Sequence, residues 1–135
     1  MAEEIVLQEL FDDIVYRDVI VHNKIRDVNA VRELTAYLVE NMVYLALRRK
    51  TGDISYFDDD GECDFITRDR HTVTAAVQAC IKLTDEDKDR EIEGLRKAME
   101  TFDLPSGTIV TEDQRERLTF GTRHIDVIPF WDWAL

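Results

Sequence analysis

The feature that most constrains this chain is a change of period at Gly52. Before it, Val31, Leu34, Leu38, Met42 and Leu45 recur every three or four residues, the spacing of one helical stripe. After it the period is two. "DISYF", "ECDFITR" and "TVTAAVQACIKL" read as three strands, separated by the turn-forming stretches "DDDG" and "RDRH". The stretch "RRKTG" marks the boundary: three cations suit the negative end of a helix, and Gly52 is placed as its left-handed cap.

The alternation in the third strand assigns its faces. Val73, Ala75, Val77, Ala79 and Ile81 form a packed side, while Thr72, Thr74, Ala76, Gln78, Cys80 and Lys82 form a more polar one. Thr84, with Asp87 three residues on, caps a second core helix whose buried stripe is Ile92, Leu95, Met99 and Phe102. "LPSG" ends that helix, "TIVT" is a fourth strand and "EDQRER" a polar loop. "IDVIPFWDWAL" gives a strand, a proline stop and a short aromatic helix, with Trp131 and Trp133 as a hydrophobic plug. Upstream, Leu7, Leu10 or Phe11, and Ile14 place another helix over about residues 3 to 22, and Asp27 is a candidate N-cap for the helix that follows.

The order α, α, β, β, β, α, β, β with a short terminal helix predicts an α/β domain with a mixed sheet. Three strands joined by hairpins are antiparallel. The helical crossover makes the fourth parallel to the third, with right-handed connection. A length of 135 residues and a hydrophobic content of 44% suit one core.

Composition limits function. No apolar run approaches 18 residues, so no membrane span is expected, and "MAEEIVLQEL" lacks the order of a signal peptide. Cys63 and Cys80 match no zinc or disulfide framework, so reduced thiols and a cytoplasmic location are expected. The net charge of −12 opposes a phosphate backbone, which is bound mainly through Lys and Arg. The cluster Arg48, Arg49 and Lys50 remains available as a local phosphate contact. His22, His71 and His124 are scattered and read as solvent-exposed loop residues. No phosphate-cradling G-x-x-x-x-G-K-[ST], dinucleotide fingerprint or G-x-S-x-G elbow is present.

Carboxylates are the chemical signal that remains. Glu40 lies in a helix beside its apolar stripe, and Glu62 and Asp64 share one face of a strand. A hard divalent cation needs carboxylate oxygens converging from rigid elements, which a helix and a strand can supply. A chain with 29 acidic residues also places some on every face.

From about Leu38 to Leu135 the sequence resembles the C-terminal domain of a large archaeal and bacterial family of AAA+-type ATPases of unassigned function. The segments are "VENMVYLALRRKTGDISYF", "GECDFI", "AVQACIKL", "REIEGLRKAM", "GTIVT" and "IDVIPFWDWAL". That domain is similar to the PD-(D/E)XK, or restriction-endonuclease-like, fold with core order α-β-β-β-α-β. The stretch "LQELFDDIVYRDVIVHNKIRDVNAVRELTAYL" resembles the segment after the ATPase core. In the family a winged-helix-like stretch separates the two; here they join near "LVEN". The resemblance therefore implies a shortened, free-standing relative without the ATPase module: a helical extension over residues 1–30 and a nuclease-like domain over 31–135.

Carried across by position, Glu40 falls on the helix glutamate of the nuclease pattern and Asp64 on its metal-binding aspartate. The (D/E)-x-K element reads Gln78-Ala79-Cys80. Gln78 brings no charge to Mg²⁺ or Mn²⁺, and a cysteine is mostly a neutral thiol near pH 7. Lys82 lies about 6.6 Å beyond Cys80 along a strand, and Arg90 opens the next helix; both are candidate replacement cations. Two readings stand. One is a degenerate, non-catalytic binding or regulatory module, with Gln78 and Cys80 a hydrogen-bonded structural pair. The other is a Mg²⁺- or Mn²⁺-dependent nuclease acting on DNA or RNA through Glu40, Asp64, Gln78 and Lys82. A homodimer through the N-terminal helices and a full-length ATPase of the same family are the expected partners.

Overall fold

A computed structural model of the chain describes residues 28–58 and 61–134, together with Val6 and Glu9. The helix predicted over residues 3 to 22, the Asp27 cap, His22 and the homodimer contact placed on the extension lie outside the described residues.

Helix α1 (Val28–Lys50) leads into strands β1 (Ile54–Asp58), β2 (Glu62–Asp69) and β3 (Thr72–Ala79). Helix α2 (Asp85–Thr101), strands β4 (Ser106–Thr111), β5 (Glu116–Phe120) and β6 (Arg123–Pro129), and the short α3 (Phe130–Trp133) follow. The strands form one sheet in the order β1-β2-β3-β4-β6-β5. β3 and β4 are parallel, as are β4 and β6, and the other pairs are antiparallel. The chain is therefore α/β with a mixed sheet, and β4 runs parallel to β3 as the crossover requires. β5 corrects the polar loop read at "EDQRER". Only Leu118 and Phe120 of "ERLTF" pack on the core, too short an alternation to stand out at an edge.

One helix packs on each face of the sheet. α2 covers the larger core, where Leu95 and Met99 meet Ile66, Ile109 and Ile125. Its start is the one the sequence implies: Thr84 caps the helix, its hydroxyl accepting from the Asp87 N–H. α1 covers the other face through Val39, Val43 and Leu47 against Val77, Ala79 and Val110. This corrects the predicted stripe. Val43 is fully buried, whereas Leu45 is 51% exposed. The helix carries two apolar rows about 100° apart, and the sheet takes the Val39–Val43–Leu47 one, with Met42 at its margin. α1 also runs unbroken through residues 30 and 31, so the expected domain boundary falls within a helix. Its end needs no left-handed glycine: Gly52 lacks a positive φ, and Arg48 Nη1 donates to its carbonyl at 2.6 Å.

Trp131 is buried and Trp133 packs on the α1 side, so the aromatic terminus does close the sheet. Cys63 and Cys80 are free thiols, pushed up to about 12 by burial, Cys80 also by the charges of Glu91 and Asp87. His71 occupies the hairpin turn, but His124 lies in β6 rather than in a loop. No helix among the described residues is long and apolar enough to cross a membrane.

Candidate functional site: an acidic cavity where two strands part

Two irregularities in the sheet determine where polar side chains point. Between β1 and β2, Tyr56 stands opposite both Asp64 and Phe65, so β2 carries one extra residue at Asp64–Phe65. Cys63 and Ile66 consequently face the same core although three residues apart. Between β2 and β3 the extra residue is Thr74, since Thr67 and Arg68 pair with Ala75 and Val73. Val73 therefore packs on the α2 side, while Ala75, Val77 and Ala79 face α1. The regular alternation expected from the sequence fails at this bulge.

The β2–β3 ladder starts at Phe65↔Val77, whereas β3 continues along β4 as far as Ala79↔Val110. Past Val77, then, β3 keeps one neighbour and separates from the other. Side chains replace the missing ladder. The Asp64 N–H donates to Gln78 Oε1 at 2.8 Å, and the Ala79 N–H donates to Asp64 Oδ2 at 3.0 Å. The Cys63 thiol lies 3.6 Å from the Val77 carbonyl. Backbone groups left in a gap between strands must find such partners, because burying them unpaired is costly. Gln78, only 6% exposed, uses its other end as well: Nε2 donates to Glu91 of α2.

The gap opens into a cavity of about 600 Å³ between the two helices. Glu40 reaches it from α1, Glu62 and Asp64 from β2, Gln78 from β3, and Arg90, Glu91 and Glu93 from α2. Gly94 makes this possible. A Cβ there would lie 2.1 Å from the Glu62 carbonyl oxygen, so only glycine lets α2 descend onto the start of β2. Glu91, almost one turn earlier, is thereby carried to Gln78.

The electrostatics follow from this crowding. The Asp64 carboxyl is pushed up to about 6, first by burial and then by the charges of Glu40, Glu91 and Glu62, against the hydrogen bond from Ala79. Glu40 is also raised, by burial and by Glu91. Arg90 is the one cation among the described residues that line the cavity, and it lies 3.5 Å from both Asp87 and Glu91.

Of the residues singled out from the sequence, the cavity brings together Glu40, Glu62, Asp64, Gln78 and Arg90. Lys82 is not among the lining residues. β3 ends at Ala79, so Lys82 is an exposed residue past the strand and does not share the Gln78 face. Cys80 packs beside the α2 core, with its thiol 3.3 Å from the Lys82 carbonyl, so Gln78 and Cys80 bond elsewhere and not to each other. Glu91 is a site residue that no sequence pattern singles out. Its only signal is an acid one helical turn before a buried leucine, in "EIEGL".

A site for Mg²⁺ or Mn²⁺ needs several carboxylate oxygens converging on one point. Among the described residues no group of three or more His, Cys, Asp or Glu side chains could hold a metal ion. Asp64 Oδ2 and Gln78 Oε1 already accept backbone N–H groups, and Glu91 accepts from Gln78. The residues present do not fit the ion, and no catalytic step is routed through it.

The chain is 25% identical over 118 residues to an uncharacterized protein of Methanocaldococcus jannaschii, a match covering 73% of this chain and 24% of that protein. It thus spans about a quarter of that relative's length. No family model matches the chain, and no solved structure matches it.

Proposed function

We propose that this chain is a degenerate nuclease-like domain that serves as a non-catalytic binding or regulatory module. The reading rests on the sequence resemblance to the PD-(D/E)XK-type domain of archaeal and bacterial ATPases. It is supported by one observation above all. Gln78, at the position of the pattern's acid, has both ends of its amide committed to Asp64 and Glu91. It acts as a strut between β2, β3 and α2 and brings no charge to the cavity. Of the two candidate replacements for the pattern's lysine, Lys82 lies outside the cavity, and Arg90 lies at its lining 3.5 Å from both Asp87 and Glu91. The partners in keeping with this reading are a full-length ATPase of the resembled family and a second copy of the chain.

The rival reading, a Mg²⁺- or Mn²⁺-dependent nuclease, draws on the convergence of Glu40 and Asp64 on one cavity. Incubation with plasmid and single-stranded DNA in Mn²⁺, beside an Asp64→Asn control, separates the two. No cleavage is expected above the control. Cleavage by the natural chain that is abolished in Asp64→Asn overturns the proposal.

A further inference from the structure

A second cavity, of about 510 Å³, opens on the α1 face of the sheet, away from the acidic one. Its lining is chemically opposite. Lys50 stands at its edge from the end of α1, and Trp133 reaches it from α3, with the Lys50 ammonium 5.6 Å from the ring centroid. Threonines from three adjacent strands supply the floor: Thr67, Thr74 and Thr108. The β3 bulge brings Thr74 onto this floor beside Ala75, and its hydroxyl meets that of Thr67 at 2.8 Å. Two hydroxyls joined by one hydrogen bond keep a second proton to donate, here to the Thr67 carbonyl at 3.2 Å or to a ligand oxygen. Asp69, at the exposed end of β2, is the acid of the lining.

Lys50 is one of several described cations, Arg48, Arg49, Arg68 and Arg96 among them, that sit apart from the ion pairs, and it stands beside an aromatic ring. In a chain with 29 acids and 17 basic residues, Lys88, Arg90, Arg115, Arg117 and Arg123 each hold an acidic partner. Lys50 makes no ion pair with a described residue; its recorded contact is the indole. An ammonium beside an aromatic face is attracted to the ring without using up its N–H donors on an acceptor atom, so donors remain for whatever enters the cavity.

We propose that this cavity binds a small oxyanion-bearing ligand, a phosphate or a carboxylate, with Lys50 as the charge anchor and the Thr67–Thr74 pair and Thr108 as hydroxyl donors. A lysine serves as a point charge for such anions, and hydroxyls supply orientation. The site is separate from the acidic cavity and independent of whether that cavity retains any chemistry.

The test is a thermal-shift titration of the full chain with sodium phosphate, sodium acetate and a nucleoside monophosphate, each against sodium chloride of equal ionic strength. A saturable rise of about 2 °C or more over chloride is expected for at least one anion, by linkage to the folded state. Response to phosphate but not acetate assigns a phosphate ligand, and the reverse a carboxylate. The rise should vanish in Lys50→Met, which keeps most of the stem over Trp133, and in Thr74→Val, and should persist in Asp64→Asn. Amide chemical shifts of the natural chain keep the test independent of variant folding: perturbation should centre on Thr67, Thr74 and Thr108. Equal response to chloride, persistence in Lys50→Met, or perturbation centred elsewhere overturns the proposal.

Discussion

Asp64→Asn should stabilise the protein at pH 7.5, the reverse of the usual effect of removing a hydrogen-bonded carboxylate. The substitution keeps an oxygen to accept from the Ala79 N–H and removes one charge from a cavity shared with Glu40, Glu62 and Glu91. The magnitude follows from the shift of the carboxyl from 3.8 to about 6. Multiplied by 1.36 kcal/mol for each pH unit, this sets an upper bound of about 3 kcal/mol on the cost of keeping Asp64 ionised in the folded state. The cavity is open to solvent, so about half of that, ~1.5 kcal/mol, is the working value, equivalent to a Tm rise of about 6 °C in a domain of this size.

The sign with pH follows by linkage. Because the folded-state carboxyl binds its proton more tightly than the unfolded one, the cost is fully present above about pH 6. It diminishes as the folded protein takes up the proton and is gone below about pH 3.8. Melting curves followed by circular dichroism at pH 7.5, 6 and 4.5 should therefore show the variant's advantage shrinking steadily with acid. An Asp64→Asn protein that melts below the natural chain at pH 7.5, or a difference that does not change with pH, would refute the reasoning. Either result would mean that the carboxylate is compensated by a positive partner.

Four further substitutions test the architecture by equilibrium denaturation. Gly94→Ala places a methyl group 2.1 Å from the Glu62 carbonyl oxygen and should cost about 2 kcal/mol or more, by forcing α2 off β2; a loss under ~0.5 kcal/mol would mean the helix can shift freely. Gln78→Ala leaves the Asp64 N–H without its acceptor and Glu91 Oε2 without its amide donor, for an expected loss of about 1–3 kcal/mol. Val43→Ala should cost about 1–2 kcal/mol and Leu45→Ala under about 0.5 kcal/mol, because the sheet takes the Val39–Val43–Leu47 row; equal costs would contradict that packing.

The parts of the fold that were legible in the sequence are those governed by local chemistry. The cap at Thr84, the end of α1 near Lys50 and the period-two segments of β1 to β3 each carry their own signal. The parallel β3–β4 pair follows from the helix between them. What escaped depended on neighbours. α1 carries two apolar rows, and only the sheet decides which is buried. The bulges at Asp64–Phe65 and Thr74 arise from pairing between strands, so neither appears in one strand's alternation. The alternation of "AVQACIKL" predicts β3 through to Leu83, but the strand ends at Ala79, with only single main-chain bonds to β4's side at Cys80 and Ile81 beyond it. That difference of a few residues takes Lys82 out of the candidate site. Glu91 joined it only through the close approach at Gly94, which is a property of two packed elements.

Metal-dependent melting probes whether the acidic cavity holds a divalent ion. The measurement is the Tm of the full chain at pH 7.5 with and without 1 mM Mn²⁺, on a condition scale of about ten times a 0.1 mM dissociation constant. A site of that affinity would add about 1.4 kcal/mol, or a Tm rise of about 5 °C. With Asp64 and Gln78 engaged by backbone N–H groups, the expected change is below about 1 °C. A saturable rise of several degrees in Mn²⁺ that disappears in Asp64→Asn would contradict the account.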